Sequence, residues 1–243
     1  MNFFDRPALA GVLANGISQL PLELDAAQQE QLREKLLDYL ALLFKWNKVY
    51  NLTSVRDPMQ MVTHHILDSL AAVPSFAGAA NVLDVGAGGG LPGMVLAIAR
   101  PDMQVALIDT VHKKTAFLTQ VKAELALANV TVYTMRVEQL QVAQKFGVIT
   151  SRAFADLSDF VNWSGHLLAQ GGQFIALKGT APAEEQERLP AEWQVSRLQS
   201  IEVPGLQAER HLVIITRSGS GSAGGSASGS GLADESQPIP KTE

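Results

Sequence analysis

The sequence contains no cysteine, which excludes disulfides, thiolate metal sites and cysteine nucleophiles together. No apolar run approaches the roughly 20 residues that a bilayer-spanning helix needs. Residues 1–20 are interrupted by Asp5, Arg6 and Pro7 and lack the unbroken apolar core of a secretory signal. A cytoplasmic protein is therefore expected. Positive charge is also in short supply: 19 Lys and Arg stand against 24 Asp and Glu, a net charge of −5. That balance argues against a surface coated in cations for loose nucleic-acid binding and leaves room for a local basic face. What the chain does have is length, 243 residues with 47% hydrophobic content, enough for one sizeable core with a small appendage.

The most informative stretch runs from Asn81 to Gly93, NVLDVGAGGGLPG. Val82, Leu83 and Val85 suit a strand buried on both faces. The glycines that follow let the backbone turn sharply and leave no β-carbon between the main chain and a ligand. Met94 to Ala99 then reads as a helix, with Pro92 placed in its first turn. Two cofactor classes use such a strand, loop and helix. Gly88, Gly90 and Gly93 satisfy the G-x-G-x-x-G spacing of dinucleotide binders, whereas Asp84, Gly86, Gly88 and Gly90 satisfy an acid-x-Gly-x-Gly-x-Gly order suited to S-adenosylmethionine. That cofactor carries an ammonium and a sulfonium where a dinucleotide carries phosphates, so a carboxylate beside the loop favours it by charge. A second acid, Asp109, directly follows the apolar run Val105–Ile108. It stands about 20 residues past the loop, where a ribose contact is expected. The alternative role for Asp109 is to cap the helix expected over 113–127, a role open to Thr110 as well.

Around this loop the chain divides in three. Residues 1–78 form an expected N-terminal helical subdomain. In it, Leu32, Leu36, Tyr39, Leu40, Leu43 and Trp46 recur at helical spacing behind Asp25 as N-cap; a loop follows at 51–58, then a helix over 61–73 ended by Pro74. Residues 79–217 carry five strand candidates, 82–85, 105–108, 130–135, 146–151 and 174–178, with helical stretches between them. A parallel sheet covered by helices on both faces follows from that alternation. Two further runs, 194–203 and 211–216, read as a terminal antiparallel hairpin. The α/β arrangement expected is thus a Rossmann-like, mostly parallel seven-stranded sheet ending in a hairpin, that of a class I S-adenosylmethionine-dependent methyltransferase. A Gly- and Ser-rich tail, 218–243, is too poor in apolar residues to order itself and reads as disordered.

Six segments in one order and spacing carry a closer likeness: WNKVYNLTS from Trp46, HILDS from His65, Asp84 to Gly93, SRAFA from Ser151, Lys178-Gly179, and ERHLV from Glu209. Together they resemble the bacterial ribosomal RNA small subunit methyltransferase G family, also called glucose-inhibited division protein B, from about the first helix to Thr216. The resemblance implies transfer of a methyl group from S-adenosylmethionine to the N7 nitrogen of one guanine in a conserved loop of 16S ribosomal RNA. It also implies cofactor contacts at Gly86, Leu91, Val137, Glu138 and Arg152, which add to Asp84, Gly88 and Asp109. Family members often carry proline where this chain has Gly89.

The chemistry of the residues agrees with that class. Methylation at a pyrimidine ring carbon usually needs a cysteine, and there is none. Exocyclic amine methylation usually shows Asn or Asp before Pro-Pro and an aromatic after the fourth strand, where this chain has Ser151-Arg152-Ala153-Phe154. Ribose methylation needs a base, for which Lys178 is the obvious candidate. Guanine N7 has a lone pair and no proton, so it needs placement and exclusion of water rather than an acid or base, and no catalytic acid or base is assigned. Arg152 is suited to a carboxylate or to guanine and its phosphates, or alternatively to an ion pair with Asp156 or Asp159. Phe154 offers a face for a splayed base or simply packs in the core. Lys178 and Arg210 are candidates for phosphate steering, as are Lys45, Lys48, Arg56, Lys113 and Lys114 for an RNA-facing patch. In the His64, His65 and Asp68 cluster, His64 and Asp68 are one helical turn apart, but a third ligand is not evident, so the cluster reads as structural more than as a metal site. The rivals are a nucleotide-dependent oxidoreductase and a non-enzymatic RNA-binding or assembly module. The acidic total points to the small ribosomal subunit, rather than naked RNA, as the partner.

Overall fold

The computed structural model describes residues 3–152, 154 and 156–219; the expected tail lies outside the described residues from 220 onward. Seven strands, β1 (Asn81–Val85), β2 (Gln104–Asp109), β3 (Val130–Thr134), β4 (Phe146–Ser151), β5 (Leu168–Lys178), β6 (Trp193–Ser200) and β7 (His211–Arg217), form one sheet in the order β3-β2-β1-β4-β5-β7-β6. The first five run parallel, and β7 pairs antiparallel with both β5 and β6. The chain order reverses at β1 and β4, so their C-terminal ends open the crevice where such sheets bind ligands.

Alternation along β1 sends Val82 into one hydrophobic cluster and Leu83 and Val85 into the other, so both faces of the strand are covered. The first cluster joins the sheet to the helices α1 (Arg6–Ser18), α2 (Ala26–Tyr50), α3 (Pro58–Met61), α4 (Asp68–Ala72), α5 (Gly93–Ala99) and α6 (His112–Glu124). The second lies under α7 (Leu157–Ser164). In α2 the capping box forms as the sequence requires: the Asp25 side chain accepts from the Gln28 amide and Gln28 returns a bond to the Asp25 amide. Leu32, Leu36, Tyr39, Leu40 and Leu43 are its buried stripe.

Several elements depart from the expectation. Residues 6–18 form a helix within the expected helical subdomain, started by Asp5 accepting from the Ala8 amide. The helix expected over 61–73 begins at Pro58 behind Asp57, widens into a π turn over Val62–Leu67, and continues through α4. Pro74 does not end it but sits in the first turn of a 3-10 segment, Val73–Phe76, where its missing amide costs nothing. Pro92 is the residue before α5 rather than within its first turn. Between β3 and β4 the expected helix is a single 3-10 turn, Val137–Gln139; that link is close to the minimum length of a parallel crossover, which leaves little room for more.

Candidate functional site

At the C-terminal ends of β1, β2 and β3 lies a cleft of about 460 Å3 walled by Gly86, Asp109, Val111, Val137, Glu138 and Trp163, among others. A larger hollow of about 530 Å3 opens where the strands begin, walled by neutral side chains such as Gln104, Thr131 and Gln144. The first has the charged groups and the crevice position that ligand chemistry needs, so it is the candidate site.

The glycine loop is held from below by Asp84. Its carboxyl is fully buried; one oxygen accepts from the Gly93 amide at 2.9 Å and the other, Oδ1, has no partner. Burial pushes this acid up to about 7, against the opposing pull of the Gly93 amide and of the Arg152 charge. From above, Tyr39 of α2 donates its hydroxyl to the Gly89 carbonyl at 2.5 Å. Gly86 has φ +70° and nothing within 4 Å of where a β-carbon would stand, so the loop opens at the cleft wall and any side chain there would fill it.

Asp109 serves three partners. Oδ2 accepts from the Gly88 amide at 3.0 Å and faces Lys114 at 3.4 Å, while Oδ1 accepts from the Val111 amide just before α6. Asp109 thus stands in the cleft wall and braces the chain just before α6, but the N-cap of that helix is Val111, neither Asp109 nor Thr110, and no side chain caps it. Glu138 is held below the ordinary carboxylate range, chiefly by its bond from Arg136.

Of the residues singled out from sequence, Gly86, Asp109, Val137, Glu138 and Phe154 meet in the cleft wall, joined by Lys114 from the suggested basic patch. Asp84, Gly88 and Leu91 sit behind it, and Leu91 is in the core. Arg152, expected among the cofactor contacts, is not in that wall. Its Nη1 donates to the His64 carbonyl at 3.1 Å and lies 3.5 Å from Asp68, so its acidic partner is Asp68 and neither Asp156 nor Asp159. Arg210 donates from Nε to the same Asp68 at 2.7 Å. Lys178 is committed to Glu185 and the Phe154 carbonyl, which leaves it poorly placed to steer phosphates or act as a base. Phe154 packs on Phe160 and edge-on to Trp163. In the suggested basic patch, Lys48 lies over the Phe44 ring and Arg56 bonds Asn47 and Asn51.

Sequence reasoning missed Trp163 and Met135, two exposed apolar side chains in the wall, 40% and 38% accessible. Trp163 falls off the buried stripe of α7, formed by Leu157, Phe160, Val161 and Ser164; an aromatic off such a stripe was the available signal. His65, by contrast, is nine-tenths hidden and kept neutral by burial and by Arg152, which push it down to about 4. Among the described residues there is no group of three or more His, Cys, Asp or Glu that would hold a metal, and no helix long and apolar enough to cross a membrane.

A family model described as rRNA small subunit methyltransferase G matches residues 32–213. The chain is 67% identical over 221 residues to the ribosomal RNA small subunit methyltransferase G of Janthinobacterium sp. (strain Marseille), covering 89% of this chain and 99% of that one. Against the protein of the same name from Herminiimonas arsenicoxydans the identity is 66% over 221 residues, with 89% and 100% covered. Among solved structures, the O-methyltransferase TomG from Streptomyces achromogenes, in complex with S-adenosylmethionine, aligns with TM-score 0.53 at 15% identity, covering 88% of this chain and 99% of that one. An O-methyltransferase from Bacillus cereus in complex with S-adenosylhomocysteine gives TM-score 0.51 at 16% identity, over 74% and 91%. At such identities these two speak for the class I methyltransferase fold alone.

Proposed function

The chain belongs to the rRNA small subunit methyltransferase G family, and from that premise we propose that it methylates N7 of one guanine in a conserved loop of 16S ribosomal RNA, in the cytoplasm, on the small ribosomal subunit. The observation that carries this reading is a family match that runs from within α2 into β7 and so includes every wall of the cleft. The dinucleotide and non-enzymatic alternatives have no comparable support.

The residues present fit S-adenosylmethionine on two counts. The unpartnered Oδ1 of Asp84 is a buried acceptor beside the loop, suited to an ammonium reached directly or through one water. The open space at Gly86 is a cradle that a β-carbon would fill. When bound, this cofactor supplies an electrophilic methyl group on its sulfonium. Asp84, Gly86, Gly88 and the backbone at Leu91 would hold its amino-acid end, Asp109 its ribose hydroxyls, and Val137 with Glu138 its base. Residues 79–217 then carry the chemistry, and residues 1–78 contribute to RNA recognition.

The chain's own part in the reaction is placement. Guanine N7 attacks with its lone pair and releases no proton, so no side chain is asked to take one. Phe154 and Trp163 supply an apolar wall that keeps water from the cleft, and Arg152 and Arg210 offer guanidinium groups to guanine oxygen or phosphate. Incubation with labelled S-adenosylmethionine and small-subunit particles lacking the modification should yield a single 7-methylguanosine in mass spectra of the RNA digest. A methyl group at another atom, or cofactor binding without transfer, would overturn the reading.

Asp109→Ala frees the amides of Gly88 and Val111 and removes the ribose partner. Its affinity for S-adenosylhomocysteine, measured by calorimetry, should fall at least about tenfold, the equivalent of one charge-assisted hydrogen bond. An unchanged affinity would remove Asp109 from the cofactor site.

A further inference from the structure

Asp68 is 3% exposed, yet it is the meeting point of three parts of the chain. It begins α4, directly after the π turn, and π turns recur at functional sites. Its Oδ1 accepts from Arg210 Nε at 2.7 Å, and its Oδ2 stands 3.5 Å from Arg152 Nη1. Arg152 follows the C-terminal end of β4, and Arg210 precedes β7 and reaches over Gly179 at the end of β5, with Nη1 3.9 Å from where a β-carbon on Gly179 would stand. Both guanidinium groups therefore lie along the substrate-facing edge of the sheet, about a quarter exposed, at 26% and 22%.

Each arginine is fixed from a second side. Arg210 donates from Nη1 to the Glu209 carbonyl at 2.8 Å, and Arg152 donates to the His64 carbonyl within the π turn. The turn is itself anchored. His65 Nε2 lies 2.7 Å from the Thr53 hydroxyl, and Asn47 of α2 holds the Thr53 amide at 2.9 Å. Burial and Arg152 keep His65 neutral, so it adds no third positive charge beside the arginines. A buried carboxylate satisfied this way sets two like charges at a fixed separation that they would not keep alone.

We infer that Asp68 is a positioning residue for the RNA substrate: one carboxylate that orients Arg210, and with it Arg152, toward the phosphates or guanine edge at the crevice. This rests on the proposed RNA-methylating function. Asp68 itself touches neither cofactor nor reacting atoms; it fixes the guanidinium planes before substrate arrives, so the ordering is not charged to binding.

The test is steady-state methyl transfer by the full chain to unmodified small-subunit particles, with S-adenosylhomocysteine affinity and thermal unfolding measured alongside. Asp68→Asn keeps the shape and one acceptor but loses the charge. It should raise KM for the particles roughly tenfold, with kcat and S-adenosylhomocysteine affinity within about twofold of wild type. Arg210→Lys, which keeps the charge and loses the Nε bond to Asp68, should give the same pattern, and an unchanged KM in it overturns the assignment even if Asp68→Asn does not fold. Unchanged kinetics, a lower melting temperature alone, or a fall in kcat and cofactor affinity at constant KM would each overturn the assignment. The wild-type reaction separates the two readings. Absence of transfer by wild type sinks the proposed function, and particle binding by wild type and variant then decides Asp68, whose assignment falls too if wild type does not bind.

Discussion

Gly93→Ala should cost the protein about 3 kcal/mol of stability and most of its affinity for S-adenosylhomocysteine, although it adds a single methyl group. A β-carbon at Gly93 would stand 2.4 Å from Leu107 Cδ2, 2.7 Å from Asp84 Oδ2 and 2.8 Å from Asp84 Cβ. Leu107 and Asp84 are both fully buried, so neither side chain has space into which to retreat. Relief by backbone shift would pull the Gly93 amide from Asp84 Oδ2 and leave a buried carboxyl with neither oxygen satisfied. Overpacking of this kind costs roughly 1–3 kcal/mol, and an orphaned buried acceptor about 1–3 more. For a chain of this size about 3 kcal/mol corresponds to a melting temperature lower by roughly 6–12 °C in calorimetry. Gly11→Ala is the contrast: nothing lies within 4 Å of its β-carbon position, in the middle of α1. There the same methyl group should stabilise by about 0.5–1 kcal/mol through helix propensity. Equal melting temperatures for the two variants would contradict this account of the loop.

That contrast marks what is legible in sequence. The pattern from Asn81 to Gly93 identifies strand, loop and helix because each residue type there has one dominant use, and the fold followed from strands alternating with helices and closed by a hairpin. The family resemblance led to the same place as the family match. What the pattern does not contain is direction. Asp84 and Asp109 look equivalent as acids at strand ends, yet Asp84 is buried behind the loop while Asp109 is in the cleft wall. Register and pleat decide this, and both depend on neighbours far along the chain. Arg152 shows the same limit. Its nearest acids in sequence are Asp156 and Asp159, but its partner is Asp68, brought to the strand end by a helix whose π turn no local propensity announces. Helix α1 is the opposite case, legible from local residues alone. Asp5 three residues before Ala8, with Pro7 in the first turn, was an N-cap in plain view.

Affinity for S-adenosylhomocysteine should weaken as pH falls below about 7, tenfold per unit, and Asp84 should be the cause. Burial pushes its carboxyl up to about 7, from 3.8 when exposed. Between those values the folded protein binds a proton that the unfolded chain does not. The contribution of Asp84 to stability is therefore present in full below about 4 and is lost as pH rises toward 7. The ligand reverses this preference. Its ammonium favours the ionised carboxylate, so binding must expel the proton at low pH and need not do so above 7. Between pH 5 and pH 7 the dissociation constant should change roughly a hundredfold. At more alkaline pH the ligand amine itself deprotonates and affinity falls again. His65 does not account for the lower limb, because it is pushed down to about 4 and is already neutral throughout the range. Asp84→Asn retains an acceptor for the Gly93 amide and removes the titration, so its affinity should be weak at pH 7 and flat from 5 to 7. A variant whose affinity still changes a hundredfold over that range would assign the proton to another group, and Asp84 would then be a support for the loop with no part in holding the ammonium.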